Sequence, residues 1–544
     1  MKKKIPVGMD SFEDIRSNGF CYVDKTKMIV DFISLQNKVS LITRPRRFGK
    51  TLNMSMLSEF FDITKNSNEL FAGLEIMNSE YANRLNSVPV ISLTFKNCSA
   101  STAEGMKHSL ADSLIMEYMR YDDLLSPFVD KEHNDYFHFF KILTLLKKGE
   151  LPDNLLESSL MILTRAVSSF YNKKVLLLID EYDQPLIKAH EKGFRDSFSS
   201  LYGNFLSQSL KGNPYLEQAL LTGIQRVVKE SIFSGLNNFI VYTVMDEMYA
   251  SYFGLTTQET SEVLEYYDLE LTEDVKKYYN GYLFSGLEIY NPWSILNYIM
   301  KKHLRAYWIN TSTNALIKDS IAKADKDFLE DFEELILDGE VEVSANLETS
   351  FIELADKNSL WGLLVNSGYL TVTKEYLGNY IRLRIPNMEV KEEFRQIVAS
   401  YTRLNENRLN EMFNCLFNAK MDKFLKVYQK LVYDYVSVYD IKENGYHMLF
   451  LGMAISVSGF YDISSNIESG DGRPDIVLKS LQPEVRPHII IEFKQGENLE
   501  KLKSEALEQI FDKNYFAKLS GEVLCVGIAH NKKNCELAYK EIMV

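Results

Sequence analysis

Cysteine is scarce and scattered in this chain. The five residues, Cys21, Cys98, Cys415, Cys525 and Cys535, include no CxxC pair. An odd, dispersed set excludes a disulfide framework and fits a reducing compartment. No run of 18 apolar residues occurs, which argues against a helical membrane span, and no membrane partner is expected. The N-terminus, MKKKIPVGMDSFEDIR, starts basic but has no apolar stretch behind it, so it does not read as a secretory leader. A cytoplasmic location is therefore expected. Internal repeats and low-complexity linkers are also missing, so boundaries have to be read from changes in hydrophobic pattern.

What is present belongs to an ordinary globular chain. Hydrophobic residues make up 46% and charged residues 25% of 544. At roughly 100–200 residues per domain, that length suggests about three domains. The net charge of −14 is uneven. Residues 1–60 hold 11 Lys/Arg against 6 Asp/Glu, about +5, which leaves about −19 for the remainder. Residues 441–544 hold 12 Lys/Arg and 15 Asp/Glu, about −3. Affinity for a phosphate backbone rests on Lys and Arg, so any contact with DNA or RNA has to use local patches or a metal site.

The pattern predicts an α/β protein. Short apolar runs at 38–43, 88–95, 217–223 and in KVLLLIDE, which ends at Glu181, read as strands. Residues 50–62, 101–120 and 154–170 read as helices between them. Strands alternating with helices imply a parallel sheet with helices on both faces. From about 240 to 400 the pattern is mainly helical and rich in aromatics. There WGLLVNSGYLTV (361–372) and YIRLRIPN (380–387) suggest a helix end and a small hairpin, a lid with a winged element. A helical stretch covers 403–437. The last part reads helix (446–457), strand (470–480), strand (488–495), helix (500–519), strand (522–530). The expected division is 1–240, 241–400 and 401–544.

Two constellations carry chemistry. The first is ITRPRRFGKT (42–51), which lies after a strand and before an amphipathic helix. This is the context of a P-loop, with backbone N–H groups along Arg47, Phe48 and Gly49 wrapping phosphates. Lys50 can reach the β- and γ-phosphates, and the Thr51 hydroxyl can ligate magnesium. The motif asks for glycine at position 44, where this chain has Arg44. Asp180 and Glu181 end the apolar strand VLLLIDE, one acid placed for magnesium and one to polarise an attacking water. Thr222 at the next strand tip is a candidate γ-phosphate sensor, and Arg226 a candidate neutraliser of transition-state charge. Arg46 either contacts phosphate or faces a neighbouring subunit. ATP and Mg2+ are the expected ligands.

The second constellation lies near the C-terminus. Asp475 opens the strand DIVL after GDGRP, and Glu492 and Lys494 sit two apart on IIIEFK, hence on one face. Two carboxylates suit Mg2+ or Mn2+. A metal there can activate water for attack on phosphorus, while the lysine positions the nucleophile. Gln509 and Tyr515 follow as residues that orient the lysine or a phosphate. Glu443 and His447 stand four apart on a helix face, with Glu443 a candidate third metal ligand.

YVDKT (22–26), RPRRFGKT, LLLIDEYD, LLTGIQRV and FSGLNN (233–238) resemble the bacterial AAA-ATPase-like proteins, a P-loop group near the signal-transduction NTPases. That family tolerates a residue other than glycine at the position of Arg44. GDGRPDIV, IIIEFK and the Gln509 helix resemble the PD-(D/E)xK nuclease-like domains, with which that ATPase is commonly fused. The resemblance spans nearly the whole chain and implies roles in mobile elements or phage defence. The expected function is an ATPase that regulates a metal-dependent nuclease acting on DNA or RNA. The alternatives are a nucleotide-dependent switch or homo-oligomeric assembly scaffold with a non-cleaving nuclease fold, and an ATP binder with negligible turnover.

Overall fold

The apolar runs that end at Thr43, Thr94, Asp180 and Gly223 lie side by side in one parallel sheet, with a fifth strand at its edge. They are β1 (Val39–Thr43), β2 (Val90–Thr94), β3 (Val175–Asp180), β4 (Leu216–Gly223) and β5 (Phe239–Tyr242), in the order β2–β3–β4–β1–β5. Every pairing is parallel, so the C-terminal ends of the strands share one edge. Strands of this kind are buried on both faces and read as continuous apolar runs. Side chains alternate between the faces. Val39, Leu41, Leu177, Ile179, Ala219 and Leu221 pack into one core with the helices Ala103–Leu125, Phe137–Lys148, Asp153–Tyr171 and Arg195–Leu210. Ser40, Ile42, Leu176, Leu178 and Leu220 are buried but stand outside that core.

This computed structural model describes residues 2–226, 239–308, 339–347, 357–376, 378–401, 406–435, 443–457, 459–464, 470, 472–544 and isolated positions between 317 and 335. The FSGLNN segment lies outside them. The chain divides into two compact units. One holds residues 1–325 and 342–390, the other 326–341 and 391–544.

In the first unit the region after 240 contains more strand than its aromatic, helix-like pattern suggests. β6 (Leu255–Thr256), β7 (Tyr282–Phe284) and β8 (Leu287–Tyr290) form an antiparallel sheet in the order β6–β8–β7. The helices Thr257–Tyr266, Glu273–Tyr279 and Pro292–Lys301 pack around it. Asn291 caps the last of these, its side chain accepting from the N–H of Trp293 and Ser294. β9 (Glu340–Ser344), β10 (Thr371–Glu375) and β11 (Tyr380–Arg384) form a second small sheet. The expected helix and hairpin are there, as Lys357–Asn366 followed by β10 and β11 paired antiparallel.

The C-terminal unit has a five-stranded sheet. β12 (Tyr461–Ser464), β13 (Ile476–Ser480), β14 (His488–Gln495), β15 (Glu522–Asn531) and β16 (Asn534–Met543) follow in chain order, with only β14 and β15 parallel. The edge strands β12 and β16 carry polar, partly exposed side chains, which hid them from the apolar pattern. The single helical stretch expected at 403–437 is two helices, Glu406–Phe417 and Met421–Tyr435, broken at Ala419 with φ 49°. Alternation again sorts the sheet. Ile489, Ile491 and Phe493 face the helices 406–454, while Ile490 packs with Ile510 and Tyr515 beside the helix Leu499–Asp512. Glu492 shares the face of Ile490 by this period of two.

That helix touches the sheet closely at Gly527. A Cβ there would lie 2.5 Å from the backbone nitrogen of Leu507 and 2.6 Å from the carbonyl oxygen of Lys503. Gly527→Ala is therefore expected to force helix and sheet apart and cost about 1–3 kcal/mol, read as a lower urea midpoint for the C-terminal unit.

Candidate functional site

At the edge where the parallel strands end, Asp180 ties three of them together. Its carboxylate accepts from the Thr51 hydroxyl at 2.6 Å and from the Thr222 hydroxyl. Thr51 begins the helix Lys50–Phe61 after β1, Thr222 closes β4, and Asp180 closes β3. Thr222 is fully buried and its hydroxyl is given to Asp180. Lys50 is buried inside the loop, where its ammonium donates to the carbonyls of Arg44 and Pro45, both at 2.9 Å. Burial pushes its pKa down, opposed by the charges of Glu181, Asp180 and Asp183. Gly49 caps the helix at φ 85°, a left-handed backbone that glycine adopts without strain.

Glu181 also holds a positive φ, 52°. For a residue with a Cβ this is uncommon and marks a constrained turn. The constraint is visible in the neighbouring residue, since the Tyr182 N–H donates to the Thr222 carbonyl at 3.0 Å. Burial raises the carboxyl pKa of Glu181, and Lys50 is the main charge opposing the rise. A carboxylate tuned upward is the better proton acceptor.

Four consecutive loop residues are each gripped by the region after 240. A Cβ on Gly368 would lie 2.8 Å from Pro45 Cβ. The Trp308 indole N–H donates to the Arg46 carbonyl at 3.3 Å. The Arg47 guanidinium lies 4.2 Å over the Trp293 ring. Phe48 is fully buried, edge-on to Tyr282 at 4.9 Å and tilted on Phe284 at 5.3 Å. The side chain of Phe48 thus belongs to the core. Arg44, at the motif's glycine position, is fully buried too. It donates to the carbonyls of Thr43 and Tyr242, with the rings of Phe253 and Phe284 each 5.4 Å from its guanidinium. Burial pushes its pKa down to about 9.

Arg226 follows three residues after Gly223, at the last described position before 239. Sequence reasoning missed Asp183, which is buried and accepts from the N–H groups of Ile224 and Gln225, both at 2.9 Å. It thereby holds the turn after β4. Its signal was the second acid of DEYD. The Asp10–Lys96 ion pair at 2.9 Å was also missed, and both charges act on Arg47 or Glu181.

In the C-terminal unit Asp475 and Glu492 face each other across β13 and β14. The Asp475 N–H donates to Glu492 Oε2 at 3.2 Å, and the Phe493 N–H to Asp475 Oδ2 at 2.7 Å. Gln509 donates to Glu492 Oε1 and to the Tyr515 hydroxyl, the latter at 3.1 Å. Lys494 Nζ stands 3.6 Å from Glu492 Oε1. Asp475, Glu492, Lys494, Gln509 and Tyr515 are thus one cluster. Glu492 is 2% exposed, and burial, with the Asp475 charge next, pushes its pKa up to about 7. Two neighbouring carboxylates, one of them buried, favour a nearby cation, and carboxylate oxygens suit Mg2+ or Mn2+. Among the described residues no group of three or more His, Cys, Asp or Glu converges on a metal position. Glu443 opens the helix Glu443–Ala454, but its side chain and that of His447 lie outside the described residues.

Comparison with known proteins matches two segments of the chain. Residues 6–233 match the family described as predicted AAA-ATPase, and residues 441–540 match the PD-(D/E)XK nuclease superfamily. An uncharacterized protein in the vnfD 5' region of Azotobacter chroococcum mcd 1 is 27% identical over 406 residues, covering 73% of this chain and 70% of that relative. Among the described residues no helix is long and apolar enough to cross a membrane.

The raised pKa of Glu492 has a consequence for stability. The side chain ionises at its ordinary 4.5 when unfolded and near 7 when folded. Its burial costs nothing below pH 4.5 and most above pH 7. Glu492→Gln is therefore expected to be more stable than wild type at pH 8, by up to about 3 kcal/mol, with the gap closing by pH 5. If the cluster takes a divalent cation, magnesium added at pH 8 is expected to raise the melting temperature of the wild type and to leave the variant unchanged.

Proposed function

From an AAA-ATPase-like domain ahead of a PD-(D/E)XK nuclease superfamily domain, we propose an ATPase that regulates a metal-dependent nuclease acting on DNA or RNA in the cytoplasm. The observation that carries the ATPase reading is the Thr51–Asp180 bond at 2.6 Å beside a buried Lys50. A hydroxyl and an acid already in contact at the loop's mouth are the pair that holds magnesium with a nucleotide. Backbone N–H groups of residues 47–51 wrap the phosphates. Lys50 exchanges its two carbonyl partners for phosphate oxygens. Glu181 orients and deprotonates the attacking water, and Arg226 offsets charge on the transferred group. Thr222 holds Asp180 in place. In this reading residues 1–240 bind nucleotide, 241–400 form the lid and 401–544 carry the nuclease fold with its helical lead-in. The grip of residues 282–308 and 368 on the loop supports a lid.

In the second site Asp475 and Glu492, with Glu443 as a further ligand, hold Mg2+ or Mn2+. The ion when bound supplies a Lewis acid and a water of lowered pKa. Lys494 positions that water and Gln509 fixes Glu492. The acidic balance of residues 441–544 favours one rival, a nucleotide-dependent switch or self-assembling scaffold whose nuclease fold does not cut.

Phosphate release from ATP with magnesium is expected to fall on the order of 10²–10⁴-fold in Lys50→Ala and in Glu181→Gln. Release that persists in both overturns the ATPase reading. Cutting of mixed DNA and RNA with magnesium or manganese is expected to need ATP and to vanish in Glu492→Ala and Lys494→Ala. Cutting by neither metal, with or without ATP, favours the switch.

A further inference from the structure

Glu389 is a buried carboxylate that the nucleotide chemistry does not use. It is fully buried at the start of the helix Met388–Tyr401. It accepts from the Ser294 hydroxyl at 2.7 Å, from the Tyr307 N–H at 2.5 Å and from the Trp308 N–H at 2.7 Å. A buried charge is costly unless such donors satisfy it, and three convergent donors make it a node rather than an accident of packing. Both of its outlets lead to the loop. Ser294 follows Trp293, whose ring carries the Arg47 guanidinium at 4.2 Å. Trp308 gives its indole N–H to the Arg46 carbonyl at 3.3 Å. Trp308 is further fixed by Tyr369 at 5.2 Å, one residue after the Gly368 that touches Pro45.

We propose that Glu389 is a positioning residue of the nucleotide site, acting through Trp293 and Trp308 to set the backbone of Arg46 and Arg47. This rests on the nucleotide-binding reading above. The carbonyl that Trp308 holds belongs to a loop whose N–H groups have to converge on phosphate, so its peptide planes must keep one orientation. Releasing the carboxylate frees two backbone N–H groups and lets the Trp308 indole leave the Arg46 carbonyl. The titratable groups that face Glu389 are the phenols of Tyr279, Tyr282 and Tyr307, from the helix Glu273–Tyr279, from β7 and from the segment that follows the helix Pro292–Lys301. Burial holds the carboxyl pKa near 7, so the node is charged above neutrality and neutral below it.

The test is the affinity of the full chain for a fluorescent ATP analogue with magnesium, measured from pH 6 to pH 9 well below the melting temperature. Glu389→Gln keeps the shape and is expected to bind about ten-fold more weakly at pH 8, as for loss of a charge-assisted bond. Its affinity relative to wild type rises toward one at pH 6, where the wild-type carboxyl is itself neutral. Trp308→Phe leaves an aromatic ring but removes the indole N–H together with the five-membered ring, and is expected to bind about five-fold more weakly at every pH. A purely structural role for Glu389 moves the melting temperature and leaves both affinities unchanged, which overturns the proposal. Wild-type protein that binds no nucleotide at any pH overturns the nucleotide-binding reading and this inference with it. Wild-type binding matched by both variants overturns the inference alone.

Discussion

The nucleotide end of the molecule depends on the two bonds that Asp180 accepts. Three strands of a parallel sheet finish at one edge, where backbone bonds such as Tyr182 N–H to Thr222 and Arg44 N–H to Gly223 already join their tips, and side chains add a second tie. Asp180 does so with a hydroxyl from each side, Thr51 and Thr222. One carboxylate therefore sets the spacing between the loop helix, the acid strand and the strand between them. Gly223 allows this closeness, since a Cβ there would lie 2.7 Å from Asp183 Oδ1 and 2.8 Å from the Tyr182 ring. Charge then accumulates on a scaffold that is already rigid, with Lys50 opposing Glu181, Asp180 and Asp183. A second carboxylate, Glu389, does comparable work one layer out, and a third, Glu492, organises the other unit.

The loop itself is held by aromatic and aliphatic contacts more than by its own sequence. A P-loop with glycine at position 44 keeps its shape through backbone freedom. Here Arg44 fills that place as a buried cation between two phenylalanine rings, and Gly368, Trp308, Trp293, Tyr282 and Phe284 support the next four residues. Among the described residues no carboxylate is bonded to the buried Arg44, and the two rings and the carbonyls of Thr43 and Tyr242 stabilise its charge instead. The region after 240 is in this respect part of what holds the loop in shape.

Much of the architecture was legible in the chain. The strands of the parallel sheet are apolar on both faces, and the acids at 180 and 181 interrupt such a run where a strand must end. β5 escaped because FIVY is short and follows no helix-period segment that the eye can separate from it. β12 and β16 escaped because edge strands alternate weakly and carry charge. The cluster of Asp475, Glu492, Lys494 and Gln509 was readable because a buried acid after three isoleucines has no other place to go than a partnered site. Glu389 was not readable, since an acid in the first turn of a helix is the commonest of solvated positions.

The sequence by itself determined which residues carry charge at strand ends, the two α/β folds and the order of the two constellations, because strand period, apolar runs and turn residues are local properties. Only the tertiary structure decided which of those charges meet. Thr222 donates its hydroxyl to Asp180, the Phe48 side chain is buried against Tyr282, and the Arg47 guanidinium lies over a tryptophan 246 positions away. Such pairings depend on how far burial and packing bring distant side chains together, and no local pattern encodes that distance.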